Sequence, residues 1–234
     1  MTTTVHRAPD RFHTRIDWLD SWHSFSFGHH YDAANTHHGL LLVSNDDVVA
    51  PGSGFGTHPH RDMEIITWVL EGTLEHRDSE GNHGVLEPGL AQRMSAGTGI
   101  RHSEMNPSPT TPVRLVQMWV LPDTEGIPPG YEQRWVGDAL AGGGLVPIAS
   151  GRGHDGAITI HQRDAVCWVG RLAPETTVTV PDAAHVHLYV ARGGADLDGA
   201  GALDEGDAAR LTGAGAVTLT AGPDGAEVIV WETA

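Results

Sequence analysis

The sequence predicts an all-β protein that contains two similar barrels in one chain. The first observation is the division of its 234 residues into many short apolar runs by Gly, Pro, Asp and Asn, which is typical of β-proteins. The second is an internal duplication, in which Trp68–Gly72 aligns with Tyr189–Gly193 and Leu86–Met94 aligns with Leu203–Leu211. Its period of about 120 residues is too long for a solenoid and indicates two barrels.

Three segments in the first part of the chain have different sequence patterns and predict different local structures. Residues 1 to about 15 are polar, and we expect them to be frayed or to lie against the surface. The segment Phe25–Phe27 alternates phenylalanine with serine, which is a strand signature. Gly39–Asn45 predicts a short apolar strand, and Asp46 with Asp47 predicts the turn that ends it.

The connection between the halves is predicted from composition. Met63–Leu70 is rich in β-branched and aromatic residues and predicts a strand of the first barrel. Asp123–Tyr131 is dense in Pro and Gly and predicts the linker. We therefore expect an N-terminal barrel over residues 1–122 and a C-terminal barrel over 123–234, with a short helix around Arg134–Leu140.

Two pairs of metal-type ligands stand in the first half: His58 with His60, and His102 with Glu104. Alternate residues of a β-strand point to the same face, so each pair presents both side chains in one direction if it lies on a strand. Two such strands facing each other give three imidazoles and one carboxylate around one point. Imidazole suits iron, copper, nickel and zinc, and four ligands on a six-coordinate ion leave about two positions open for catalysis.

A single histidine on a strand is more often a hydrogen-bonded residue than a ligand, so the combination carries the argument. Both pairs lie in glycine-rich turn context, about 40 residues apart. The aligned positions of the second half have lost these donors, and they are Thr179, Pro181, Leu219 and Ala221. His185 and His187 form another pair there, out of register and without an acidic partner, and we interpret them as strand histidines. The C-terminal barrel is then a packing partner without metal.

Several other residues are candidates for the surroundings of the metal. Glu64 lies four residues after the first histidine pair, so in one continuous strand it keeps the same parity and could orient an imidazole. Phe55, Trp68 and Trp119 could line a cavity, and Gln117 shares a strand face with Trp119. An open apolar cavity at the metal favours an enzyme, whereas a closed site beneath a flat charged face favours a sensor.

Composition excludes several classes of partner. The formal net charge of −16 disfavours direct binding to nucleic acid or to an anionic membrane, and solubility is the simpler explanation for it. The single cysteine, Cys167, rules out an internal disulfide and lies in an apolar run typical of a buried residue. The sequence has no signal-like or membrane-length apolar run. We therefore expect a cytoplasmic protein.

The two ligand segments resemble those of a known family. The string from Gly56 to Ile65, with that from Gly97 to Asn106, resembles the two motifs of the cupin superfamily and specifically those of the pirin family of bicupins. One departure is Gly72, which lies one place later than the usual spacing. The resemblance extends from about Phe12 to the C-terminus. It implies two tandem cupin (double-stranded β-helix, jelly-roll) barrels, with one metal ion held by His58, His60, His102 and Glu104.

The resemblance also implies a function. Bacterial pirins imply a quercetin 2,3-dioxygenase activity on small flavonol-like enols with O2, in which Glu104 is the ligand able to act as general base. Iron(II) is the expected ion, and Cu, Mn, Co, Ni and Zn remain open because ligand softness allows them. Nuclear pirins imply a different class, a redox-sensing regulatory protein with a protein partner. Hydrolase or isomerase chemistry is a third alternative, because fold does not fix function.

Overall fold

A computed structural model describes residues 2–234, whose regular secondary structure consists almost entirely of strands. Those of the first half are β1 (Thr2–His6), β2 (Phe12–Ile16), β3 (Leu19–His23), β4 (Leu41–Val49), β5 (Gly54–His60), β6 (Glu64–Glu71), β7 (Leu74–Asp78), β8 (His83–Leu86), β9 (Leu90–Ser95), β10 (Ile100–Met105) and β11 (Val113–Val120). Those that follow are β12 (Gly130–Trp135), β13 (Leu145–Ser150), β14 (Ile158–Thr159), β15 (Ala165–Leu172), β16 (Thr177–Val180), β17 (His185–Leu197), β18 (Gly201–Asp204), β19 (Ala208–Thr212) and β20 (Val217–Thr233). A 3₁₀ turn (Ala8–Asp10) and one short helix, α1 (Gly137–Leu140), complete the elements.

The first barrel consists of two facing antiparallel sheets. Seven strands in the order β12-β9-β6-β11-β4-β3-β2 form one sheet, and four in the order β5-β10-β7-β8 form the other. Strand β6 is buried on both faces, because Ile66 and Trp68 pack toward the second half while Val69 belongs to the first barrel's own core. A strand covered on both sides has a continuous apolar run, which explains the sequence of this segment.

The second barrel is a single curled sheet. Its strands run in the order β1-β19-β17-β20-β15-β13-β14, with β16 added beside β20 and β18 beside β17. The long strands β17 and β20 bend at register shifts, between Val190 and Arg192 and between Gly193 and Ala195, so the sheet wraps around its own interior. The prediction of an all-β protein with two tandem cupin barrels is confirmed.

The two barrels pack through an apolar cluster that both of them supply. Trp68 and Met118 of the first barrel lie in this cluster with Tyr189 and Trp231 of the second. The indole nitrogens also find partners across it: Trp68 Nε1 donates to Glu227 Oε1 at 2.9 Å, and Trp231 Nε1 donates to Met118 Sδ at 3.1 Å. Tight packing and satisfied indole groups make the second barrel a structural support for the first.

Of the two alternatives expected for the first residues, the structure excludes fraying for Thr2–His6, because β1 pairs with β19 in the second barrel. Two other local predictions are wrong for identifiable reasons. Phe25–Phe27 is not a strand: the chain turns after β3, Phe27 bridges back to His30, and Phe25 is buried in the inter-barrel cluster. Strand β4 continues through Asp46 and Asp47 without a turn, because Arg114 donates to both carboxylate oxygens of Asp46 and Ser21 donates to Asp47.

The region of the predicted linker also contains regular structure. Strand β12 begins at Gly130, inside the predicted linker, and pairs with β9 of the first barrel. Helix α1, Gly137–Leu140, lies within the segment predicted to be helical. Strands β1 and β12 thus both pair with strands on the other side of the boundary predicted between residues 122 and 123. The boundary itself stays a prediction.

Candidate metal centre

Strands β5 and β10 bring three histidines together. They pair antiparallel with His58 opposite His102, and the alternation of side chains along β5 puts His60 on the same side as His58. The ring centroids lie 4.8 Å apart for His58 and His60, 4.5 Å for His58 and His102, and 4.9 Å for His60 and His102. One nitrogen of each ring lies within 4.8 Å of the others. Both segments are strands, as the ligand spacing predicts.

The free nitrogens of these rings fit a metal ion. His58 Nδ1 lies 2.7 Å from the carbonyl oxygen of Gly56; it must donate to that oxygen, so Nε2 keeps its lone pair. His60 Nε2 and His102 Nε2 are buried and have no hydrogen-bond partner. Buried polar atoms without partners call for an explanation. Three imidazole nitrogens converging on one point form a donor set that suits a divalent transition metal.

Glu104 lies beside the histidine cluster and is held by two donors. It is buried, Gln117 Nε2 donates to its Oε2 at 2.7 Å, and Thr67 Oγ1 donates to its Oε1 at 3.4 Å. Trp119 Nε1 in turn donates to Gln117 Oε1 at 3.1 Å. The ring of Trp119 also meets His60 edge-on at 4.9 Å. Both donors come from the facing sheet, so the two sheets together fix the carboxylate.

The structure groups the four predicted residues in two overlapping clusters. His58, His60 and His102 form one, and His76, His102 and Glu104 form the other, each with ligand atoms within 4.8 Å of one another. His102 belongs to both. Both clusters lie in the first barrel. No sequence argument singled out His76, although its alternation with Asp78 on β7 repeats the spacing of the ligand pairs.

His76 and Asp78 form a relay behind His102. Asp78 Oδ2 lies 3.2 Å from His76 Nε2, and His76 Nδ1 lies 3.4 Å from His102 Nδ1. If the Asp78 carboxylate accepts a hydrogen bond from His76 Nε2–H, His76 Nδ1 accepts one from His102 Nδ1–H, and His102 Nε2 carries no proton. The side chains of His76 and Asp78 are 1% and 0% exposed, and Tyr131 stacks on His76 at 4.7 Å. Such partners fix ring orientation and tautomer.

The electrostatics keep His60 and His102 neutral. Burial, followed by the neighbouring imidazoles, lowers the pKa of His60 to about 4 and that of His102 to about 3. Burial alone raises the pKa of Asp78, but hydrogen bonds from Asn82 and His76 outweigh it and lower the pKa below the ordinary value. Neutral imidazole is the form that binds metals. The cluster is therefore ready to bind a cation at neutral pH.

A cavity of about 420 Å³ ends at this cluster. Its apolar and aromatic walls are formed by Trp18, Leu19, Phe27, Phe55 and Trp119, and its polar lining includes Thr14, Ser21, His23, Asn45, Asp47, His58, His60, Glu104 and Gln117. Trp18 and Phe55 meet edge-to-face at 5.2 Å. Aromatic walls with a few convergent polar groups are typical of a small-molecule site.

Two of the residues proposed for the surroundings lie elsewhere. Trp68 is fully buried in the inter-barrel cluster and does not line the cavity, in contrast to Phe55 and Trp119. Glu64 accepts the backbone N–H of His161 at 3.1 Å and contacts no ligand imidazole. The parity argument fails because the chain turns at Asp62, whose φ is 46°, and carries Glu64 into the other sheet.

Comparison with known proteins identifies the family. The pirin profile matches residues 5–120, and a profile described as the quercetinase C-terminal cupin domain matches residues 147–232. A protein of Mycobacterium tuberculosis, provisionally named a quercetin 2,3-dioxygenase, is 57% identical over 232 residues, which are 99% of this chain and 95% of that protein. The chain belongs to the pirin family. Quercetin 2,3-dioxygenase of Escherichia coli K12 is 51% identical over 158 residues, covering 68% of this chain and 67% of that protein.

Solved structures of pirins share the whole fold. The crystal structure of YhhW from Escherichia coli superimposes with a TM-score of 0.92 and 37% identity, covering 100% of this chain and 98% of that one. A second structure of YhhW, a bacterial pirin in complex with nickel(II), gives a TM-score of 0.91 with 99% of each chain covered. In the described part of this pirin, no helix is long and apolar enough to span a membrane.

Proposed function

We propose that this pirin is a metal-dependent dioxygenase that acts on quercetin and related flavonol-like enols with O2. The observation that carries the proposal is the cluster of His58, His60 and His102 at the end of an aromatic-walled cavity, in which His60 Nε2 and His102 Nε2 are buried without a partner. The quercetin 2,3-dioxygenase names of its relatives support the reaction class.

In this proposal His58, His60, His102 and Glu104 hold one divalent ion. Iron(II) is the expected ion, and the nickel(II) bound by YhhW shows that a pirin of this fold accepts another. When bound, such an ion acidifies a hydroxyl group placed beside it and so favours the reactive enolate at neutral pH. The relay from Asp78 through His76 keeps His102 Nε2 available as a ligand atom.

The chain's own contribution is to hold the substrate and take its proton. Glu104 is the carboxylate that can accept the proton of the enol hydroxyl as general base. Gln117 and Thr67 orient it from the facing sheet, so its oxygen stays in place between turnovers. The aromatic walls, with Phe55 and Trp119, match the faces of a planar ring system and exclude water.

The alternative is a redox-sensing protein whose metal site controls a partner. A closed site beneath a flat charged face would favour that function. The cavity that ends at His58 and His60 favours the enzyme. The negative net charge of the chain gives no support for direct binding to nucleic acid.

The test is anaerobic reconstitution with Fe(II), Mn, Co, Ni or Cu, followed by quercetin and air. We expect loss of the flavonol absorbance with matching O2 uptake for at least one metal. Glu104→Gln should retain some metal and lose turnover by about 100-fold or more, as for removal of a general base. Glu64→Gln is the matched control, since this buried carboxylate lies outside the cavity, and it should retain activity. Absence of turnover with every metal contradicts the proposal.

A further inference from the structure

One wall of the cavity carries a carboxyl group that the proposed reaction does not use. Strands β3 and β4 pair with Ser21 opposite Asp47 and His23 opposite Asn45. All four side chains line the cavity, and each residue is at most 3% exposed. The polar pairs therefore lie on the inner face of the barrel, where the neighbouring walls are apolar.

Asp47 has no cationic partner, unlike its neighbour. Adjacent strand residues point to opposite faces, and Asp46 faces the second barrel. Arg114 of β11 donates to both carboxylate oxygens of Asp46, and Tyr189 of the second barrel donates to it as well. Among the described residues, the only side-chain hydrogen bond to Asp47 comes from Ser21 Oγ, to Oδ1. Its other oxygen, Oδ2, is left for a group in the cavity.

Such an arrangement is costly without a ligand. Burial is the largest cause that raises the pKa of Asp47, to about 7, and the nearby carboxylates of Asp46 and Glu104 raise it further against the hydrogen bond from Ser21 and the charge of Arg11. A buried carboxyl group without an ion pair destabilises the fold. A hydroxyl group of a bound molecule would relieve this, by donating to the carboxylate.

The position of Asp47 fixes which hydroxyl group this is. Asn45 lies opposite Gln117, the residue whose amide holds Glu104. Asp47 lies two residues further along the same face of β4, about 7 Å away. Trp18 and Phe55 form aromatic walls of the same cavity. A planar molecule with one hydroxyl at Glu104 and its rings along these walls brings a distant ring edge to Asp47.

We propose that Asp47 and Ser21 bind a second hydroxyl group of the substrate, remote from the hydroxyl that Glu104 deprotonates. The site then selects polyhydroxylated aromatic compounds over those with the enol hydroxyl alone. A site that hydrogen-bonds a substrate hydroxyl rejects an analogue without it, because its own buried polar groups are left unpaired. This inference rests on the proposed function, since it takes the enol to lie at the metal-binding end of the cavity.

The experiment measures binding and needs no turnover. Nickel-loaded protein is titrated without O2 with quercetin and with 3-hydroxyflavone, which carries the enol hydroxyl alone, by tryptophan fluorescence and calorimetry. Asp47→Asn should weaken quercetin binding about tenfold, because a charge-assisted hydrogen bond becomes a neutral one, and leave 3-hydroxyflavone within about twofold. Asp20→Asn, on the same sheet but outside the cavity, is the matched control and should change neither.

The outcomes separate this inference from the proposed reaction. Equal weakening of both flavonols by Asp47→Asn indicates a packing effect and overturns the inference, as does unchanged quercetin binding. If Asp47→Asn does not fold, Ser21→Ala takes its place, with the same selective loss expected for quercetin. Selective binding without consumption of quercetin in air contradicts the dioxygenase and leaves the hydroxyl site standing. Consumption of quercetin in air without a selective loss of quercetin binding in the Asp47→Asn variant supports the dioxygenase and contradicts the hydroxyl site.

Discussion

The two barrels share an architecture but differ in what fills them. The interior of the C-terminal barrel is hydrocarbon, with Leu188, Val190, Leu197, Leu219, Val228 and Val230 among its buried side chains. The N-terminal barrel instead carries a polar row across five neighbouring strands. His23 lies opposite Asn45, Asn45 opposite Gln117, Gln117 opposite Thr67, and Thr67 opposite Gln92.

The difference shows that, in one fold, the inward side chains of one barrel can stabilise the protein while those of the other form the site. Backbone hydrogen bonds close both barrels, so the inward side chains are free to differ. Burial of the aliphatic interior stabilises the C-terminal barrel, whereas each buried polar group of the row must find a partner to avoid a cost. The N-terminal barrel offsets this through the inter-barrel cluster, where Trp68 and Met118 pack against Trp231. Three experiments test this division between the barrels.

The largest effect is expected from removal of a ligand that both metal clusters share. His102→Ala should reduce bound nickel(II) from stoichiometric to background, because among the described residues His102 contributes a ligand atom to both clusters. His185→Ala, a matched change in the C-terminal barrel, should leave the metal content unchanged. Elemental analysis after gel filtration measures both. Metal retained by the first variant, or lost by the second, would remove the assignment of the metal to the N-terminal barrel.

An intermediate effect is expected from the polar row. Gln117→Leu removes the 2.7 Å hydrogen bond to Glu104 and should weaken metal binding about 10–100-fold, as is usual when an outer partner of a ligand is lost. Competition with a chromophoric chelator measures the affinity. Gln92→Leu makes the same change in the same row without touching Glu104 and should bind metal as the wild type does. Equal affinity in the two variants would mean that the row does not orient the carboxylate.

The smallest effect is a pH dependence of stability that originates in the C-terminal barrel. Burial lowers the pKa of His187 well below its ordinary value, and Arg210, His38, Arg11 and His6 add to the shift. The unfolded chain protonates this ring near pH 6.5 and the folded chain does not. The stability that neutral His187 permits is therefore present above about pH 6.5 and is lost as the pH falls below it.

Urea unfolding of the metal-free protein at several pH values between 8 and 5 measures this effect. Below about pH 6, the wild type should lose up to about 1.4 kcal/mol per pH unit more than His187→Leu. Other buried histidines titrate in both proteins, so the difference between them belongs to His187. His185→Leu is the control, because His185 lies two residues from His187 and is less buried. Its free energy of unfolding should change with pH as that of the wild type does. Parallel curves for wild type and His187→Leu would contradict the expectation.

The sequence predicted what depends on local periodicity and missed what depends on tertiary partners. The ligand pairs could be predicted because alternate residues within one strand share a face, as His58 and His60 do. Glu64 was misplaced because parity is lost where the chain crosses between sheets. Asp46 and Asp47 predict a turn because two adjacent carboxylates favour one locally. Arg114, 68 residues from Asp46, keeps that segment extended, and no local pattern indicates so distant a partner.

The edge strands have a consequence for how the chain is made. Thr2 lies opposite Thr212 in β1 and β19, so β1 cannot pair before a segment about 200 residues further along the chain has been synthesised. Closing so long a loop is slow and delays completion of the sheet. Strand β12 crosses in the other direction to join β9. A chain cut between residues 122 and 123 would leave each barrel with an unpaired edge, open to association with other molecules.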